Sequence, residues 1–119
     1  MDGEISTAEL RERLDGASEP TVVDIRQPPA FRRGHIPGSV NIPFRQLPDR
    51  VAEVADADHI VTVCPHGKSS VQAAKLVASN EGAGDATVQS MAGGLREWDG
   101  EIDRAFEDAE ADEGPEAPF

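Results

Sequence analysis

One change of period constrains this chain more than any other feature of it. His59-Ile60-Val61-Thr62-Val63 is a continuous run rich in β-branched residues, the pattern of a strand buried on both faces of a sheet. Directly after it comes Cys64-Pro65-His66-Gly67-Lys68, and then apolar residues recur at helical spacing in Val71, Ala74, Leu76, Val77 and Ala78. A strand that hands over to a helix through a short glycine-containing loop is the repeating step of an α/β domain.

The rest of the chain repeats that step. Ser6 reads as a helix N-cap, with Glu9 completing a capping box and Ile5 packing on Leu10 as a staple. That helix runs to about Leu14 and stops near Gly16. Thr21 to Ile25 is a second buried strand, ended by Pro28-Pro29, which open a loop or short helix carrying Phe31. Ser39 to Ile42 is a short strand, and Val51 to Ala55 is read as helical from near Pro48. Thr87 to Met91 is a further strand, followed by Gly93-Gly94 and a short helix through Trp98. Alternation of this kind predicts an α/β fold with a mainly parallel sheet and helices on both faces.

The chain's 119 residues suit a single domain, expected over 1–100. The net charge of -12 is uneven: Asp99 to Phe119 holds nine acidic residues against Arg104 alone. Residues 101–119 therefore read as an acidic extension, helical over Glu101 to Ala111 where Ile102 and Phe106 sit four apart, then disordered. No basic stripe exists to neutralise phosphates, so nucleic acid is not an expected partner. No apolar run is long enough for a membrane span, and the N-terminus lacks the features of a signal peptide, so a cytoplasmic protein is expected. Only Lys68 and Lys75 are lysines, and an acidic, lysine-poor surface suits a halophile.

Cys64 is the sole cysteine, which excludes an internal disulfide and a multi-thiolate zinc site. His35, His59 and His66 lack close ligand spacing, so no metal is expected. A lone thiol is either a small buried hydrophobe or a reagent. Strand end, glycine loop and helix start together favour the reagent, because ligands bind at the carboxyl ends of parallel strands. Backbone N–H groups over Cys64 to Ser69, Pro65 excepted, can cradle an anion there and favour thiolate, with Lys68 acting in the same sense. His66 either contacts substrate or covers the loop edge. Ser69 and Ser70 do not sit in a nucleophile elbow and read as helix caps.

Four stretches resemble the rhodanese family. Val23-Asp24-Ile25-Arg26 is similar to its first-strand signature, and Phe31 to Pro43 to its long glycine–histidine–proline motif (Gly34-His35-Ile36-Pro37-Gly38). Cys64 to Ser70 resembles its active loop, and Gly93-Gly94-Leu95-Arg96-Glu97-Trp98 its closing motif. The resemblance implies a single rhodanese-like domain with a five-stranded sheet, and a cysteine that carries sulfane sulfur as a persulfide. It implies structural support from Asp24, Arg26, Gly34 and His35, and substrate binding by His66, Gly67, Lys68, Ser69 and Ser70. Asp24 is expected to satisfy loop amides, and Gly34, Pro37 and Gly38 to fix a turn. Arg26, Arg32 or Arg33 have anion attraction as an alternative role, with a solvated surface role favoured for the last two.

The expected chemistry is attack by Cys64 on a donor such as thiosulfate, or on a persulfide. Transfer to cyanide, a thiol or a protein acceptor follows, with no cofactor. The rival readings are a non-catalytic rhodanese-like module that binds or senses redox state, and a cysteine phosphatase or arsenate reductase. Enzymes of the second kind need an arginine to grip the oxyanion, where this loop has Ser69 and Ser70. The sequence extends past Trp98 into acidic residues rather than the family's usual ending, and its loop is less basic than many thiosulfate-preferring members.

Overall fold

The computed structural model describes residues 1–16 and 19–104. Its elements are β1 (Glu4–Ile5), α1 (Thr7–Leu14), β2 (Thr21–Asp24), α2 (Pro28–Arg33) and β3 (Val40–Asn41). They continue with α3 (Leu47–Arg50), β4 (His59–Val63), α4 (Ser69–Ala78) and β5 (Thr87–Met91). The five strands form one sheet in the order β1-β5-β4-β2-β3, and every pairing is parallel.

The strands β2, β4 and β5 serve two cores because successive side chains point to opposite faces. Val23, Ile25, Ile60, Cys64 and Val88 face one way, onto Leu47, Val51, Ala73, Ala74 and Val77 of α3, α4 and the turn between β3 and β4. Val22, Val61, Val63 and Met91 face the other way, onto Leu10 of α1, Ile36, Leu95 and Trp98. Burying each of these Val, Leu or Ile side chains contributes about 1.5–3 kcal/mol, which is why both faces read as apolar in sequence. Helices therefore cover both faces, as the alternation predicts.

Several local expectations need correction. Ser6 Oγ accepts the Glu9 amide at 3.0 Å, but the Glu9 carboxylate turns to Arg13 at 3.1 Å instead of closing the capping box. An arginine one turn away is the stronger partner for an exposed carboxylate. β1 was not anticipated, since a two-residue strand shows no period; it pairs with Ser90 and Met91. The helix expected from near Pro48 through Val51 to Ala55 is instead the short α3 followed by a 3-10 turn at Val51–Val54. The helix expected through Trp98 is a 3-10 turn at Leu95–Glu97.

The helix expected from Glu101 does not start there. Asp103 pairs antiparallel with His35, exchanging backbone hydrogen bonds of 2.8 and 2.9 Å. A chain paired backbone to backbone with another segment cannot also make helical hydrogen bonds. The remainder of the expected helix and the expected disordered tail, 105–119, lie outside the described residues. Among the described residues no helix is long and apolar enough to cross a membrane.

Candidate active site

Cys64 follows the last residue of β4 and is 2 % exposed. Its side chain shares a face with Ile60 and Thr62, so it points toward the start of α4. The loop curls back over it: Sγ accepts the Gly67 amide at 3.1 Å and the Ser70 amide at 3.2 Å. Gly67 makes that curl possible. Its φ is +83°, and a Cβ there would lie 2.8 Å from the Gly93 nitrogen. Any other residue would meet both the left-handed backbone penalty and a collision with the neighbouring segment.

That neighbouring segment is Gly93 to Trp98. The Leu95 amide donates to the Cys64 carbonyl at 2.8 Å, and the Arg96 amide to the Pro65 carbonyl at 3.0 Å. Gly94 approaches Pro65 and Gly67 so closely that a side chain would overlap their backbone. The glycine pair after β5 is thus a floor against which the cysteine loop is moulded.

The environment of the thiol divides into two opposed effects. Burial pushes its pKa up; the Ser70 hydroxyl and the amides of Ser70, Gly67 and His66 outweigh burial and hold it below its ordinary value. Of these, the Gly67 and Ser70 amides meet the sulfur in direct hydrogen bonds. Lys68, expected to favour the thiolate, makes no hydrogen bond to the sulfur among the described contacts. The side chain is exposed, at the N-cap of α4, where water screens its charge.

Ser69 and Ser70 do not cap α4, which has no side-chain cap. Ser69 is exposed in its first turn, while Ser70 is fully buried and hydrogen-bonds Ser90 of β5, Oγ to Oγ, at 2.7 Å. Thr62 Oγ1 donates to the Ser70 carbonyl at 2.7 Å. His66 is exposed, with Nδ1 3.5 Å from Arg96 Nη1. Thr62, Ser90 and Arg96 are absent from the sequence-based site. The first two had a signal, because a hydroxyl inside an apolar strand must find a partner when buried.

The supporting residues form a separate group at the end of β2. The buried Asp24 carboxylate accepts from the Arg26 amide at 3.0 Å and from Arg26 Nε and Nη2 at 2.9 and 2.7 Å. Arg26 Nη2 also donates to the Gly34 carbonyl at 2.6 Å, so its guanidinium is committed here rather than to anions at the mouth. Arg32 and Arg33 are exposed in the last turn of α2. His35 is 8 % exposed, stacks on Phe31 at 3.8 Å and directs Nδ1 to the Phe31 carbonyl at 2.8 Å. The turn is Ile36 to Ser39, closed by a 3.0 Å hydrogen bond, with Pro37 and Gly38 in its central positions and Gly38 at φ +81°. Gly34 lies outside that turn, with an extended φ of 169°.

Residues 6–101 match the family profile described as Rhodanese-like domain. The chain belongs to the rhodanese-like family. Among curated relatives, the thiosulfate sulfurtransferase GlpE of Stutzerimonas stutzeri is 41% identical over 78 residues, covering 65% of this chain and 68% of that protein. The HTH-type transcriptional regulator Rv0324 of Mycobacterium tuberculosis is 39% identical over 94 residues, which are 79% of this chain but 40% of the regulator. Among solved structures, the human single-domain sulfurtransferase TSTD1 aligns with a TM-score of 0.67 and 30% identity, over 80% of this chain and 93% of that one. The rhodanese-like domain of the Anabaena protein Alr3790 aligns over 100% of this chain and 89% of its own, with a TM-score of 0.75 and 26% identity. The chain thus spans less than half of the regulator's length and about two thirds of the GlpE relative.

Within this rhodanese-like domain, no group of His, Cys, Asp and Glu among the described residues could hold a metal ion. A cavity of about 550 Å³ lined by Arg11, Leu14, Trp98 and Glu101 lies on the sheet face opposite Cys64. It has no part in the surroundings of the thiol.

Proposed function

We propose that this domain is a sulfurtransferase that carries sulfane sulfur on Cys64. The observation that carries the reading is the pair of amides, Gly67 and Ser70, aimed at a cysteine sulfur at the carboxyl end of a parallel sheet. Amides fixed by the fold stabilise negative sulfur without reorganising, both on the resting thiolate and on the persulfide that replaces it.

In the first step the Cys64 thiolate attacks the outer sulfur of thiosulfate. The new S–S bond forms as the donor's S–S bond breaks, leaving a Cys64 persulfide anion and sulfite. In the second step a thiophile such as cyanide takes the terminal sulfur, giving thiocyanate and restoring the thiolate. Each step conserves charge and needs no general base, because the nucleophile is already deprotonated. A persulfide could serve as donor in the same way, and a thiol, small or on a protein, as acceptor. Phosphatase chemistry has no support from the loop, whose side chains include no arginine to grip an oxyanion.

Intact-mass measurement tests the reading. Reduced protein incubated with thiosulfate should gain one sulfur, lose it to cyanide, and gain none when Cys64→Ser is treated alike. An unmodified mass after exposure to both thiosulfate and a persulfide donor would overturn it.

A further inference from the structure

Beneath the thiol runs a line of buried hydroxyls that the proposed chemistry does not by itself require. Ser70 and Ser90 are both fully buried, and their hydroxyl oxygens lie 2.7 Å apart. Each hydroxyl has one proton to donate. The same Ser70 donates its amide to the Cys64 sulfur at 3.2 Å, so the serine that contacts the thiol is tied through its side chain to β5. A buried hydroxyl pair is retained only where both partners are held in place.

We propose that Ser90, on β5, is a positioning residue that holds Ser70 where its amide donates to the Cys64 sulfur. Thr62 holds the same serine from another side by donating to its carbonyl at 2.7 Å. Ser70 is thereby fixed through its amide, carbonyl and hydroxyl at once. The hydroxyl of Ser70 is also among the influences that hold the Cys64 thiol below its ordinary pKa. Without the Ser90 hydroxyl, Ser70 loses the side-chain contact that ties it to β5, and its hold on the thiolate loosens. The role of Ser90 in turnover rests on the sulfurtransferase reading; its effect on the thiol does not.

The titratable side chains on the loop and the flanking strand ends are Asp24, Arg26, His66, Lys68, Arg96 and Glu97. Substitution at Ser90 leaves all of them in place. The test is the pH dependence of Cys64 alkylation by iodoacetamide in wild type, Ser90→Ala, Ser90→Val and Ser90→Thr. Valine and threonine have nearly the same shape, so their difference isolates the hydroxyl from packing.

The alkylation midpoint should rise by roughly half a unit to one unit in Ser90→Ala and Ser90→Val, and stay near wild type in Ser90→Thr. Sulfur uptake from thiosulfate near pH 7 should slow in parallel by about three- to tenfold in the alanine and valine variants. Equal midpoints in valine and threonine variants would overturn the proposal, as would a loss of thermal stability with no change of midpoint. Should Ser90→Ala fail to fold, the valine–threonine comparison gives the same decision. If the midpoints move as stated but wild type takes up no sulfur from any donor, the positioning role stands and the sulfurtransferase reading falls.

Discussion

The Leu95 amide donates to the Cys64 carbonyl at 2.8 Å, joining residues that lie on different strand-to-loop connections. The bond fixes the backbone of the nucleophile itself, so the segment after β5 is part of what shapes the cysteine loop. It also explains why Gly94 and Gly67 occur together: each leaves the space that the other segment's backbone occupies.

Replacing Cys64 by serine should abolish sulfur transfer and leave the fold intact. The chain has no second thiol to relay sulfur, and the site is one of close packing at 2 % exposure, where serine is near in size. The check is thiosulfate:cyanide activity together with circular dichroism; residual turnover in a well-folded variant would contradict the assignment.

Gly67→Ala should remove most of the activity and destabilise the domain. A left-handed backbone costs an L-residue about 1–2 kcal/mol, before any relief of the contact with Gly93. The cheapest relief moves the loop outward, taking the Gly67 amide away from Sγ. Urea unfolding and alkylation of the same sample would show a lower midpoint of unfolding and a less reactive thiol together.

Reactivity at Cys64 should rise with pH through a midpoint below that of an ordinary cysteine, about 8.5, and level off above it. The sign follows from the balance at the sulfur, where the Ser70 hydroxyl and the loop amides overcome burial and favour the thiolate. Below the midpoint the thiol is protonated, and the alkylation rate should fall about tenfold per pH unit. A midpoint at or above that of free cysteine would mean that burial wins.

Asp24→Asn should destabilise the domain by about 3 kcal/mol while leaving the alkylation midpoint near wild type. The Asp24 side chain is fully buried and that of Arg26 is 17% exposed, so removing the carboxylate charge leaves a mostly buried guanidinium without its counter-ion. Denaturant unfolding measures the loss. A large change in thiol reactivity at unchanged stability would instead place the pair in the active site proper.

The fold was legible because its strands are buried on two faces: Val22 and Val23, or Ile60 and Val61, face different cores and leave no polar gap in the sequence. Cys64 was legible from its place between two periods. β1 was not, because Glu4 and Ile5 take their structure from pairing with β5 rather than from any pattern of their own. Asp103 was misread for the same reason, since its partner His35 lies far along the chain. Ser90 carried only the general signal of a hydroxyl in an apolar strand and Arg96 none, because their relation to Cys64 passes through tertiary contacts with Ser70 and His66.

The rim charges Lys68 and Arg96 should govern affinity for anionic donors and little else. Both side chains are exposed, and Arg96 reaches to 3.5 Å from His66 Nδ1. Neither cation touches the sulfur, so removing either should raise KM for thiosulfate several-fold and change kcat less, the pattern of lost uniform binding. Lys68→Glu should do worse than Lys68→Ala, by setting a negative charge beside an anionic donor and disfavouring the thiolate. The field of exposed cations is screened within about 10 Å at 0.1 M salt, so wild type in high salt should approach the alanine variants. An uncharged sulfur donor should show neither the mutational nor the salt effect. Steady-state kinetics with both donors at low and high salt decide the matter. If KM for thiosulfate is indifferent to all of these changes, the amide cradle alone holds the donor and the rim cations are solvated surface.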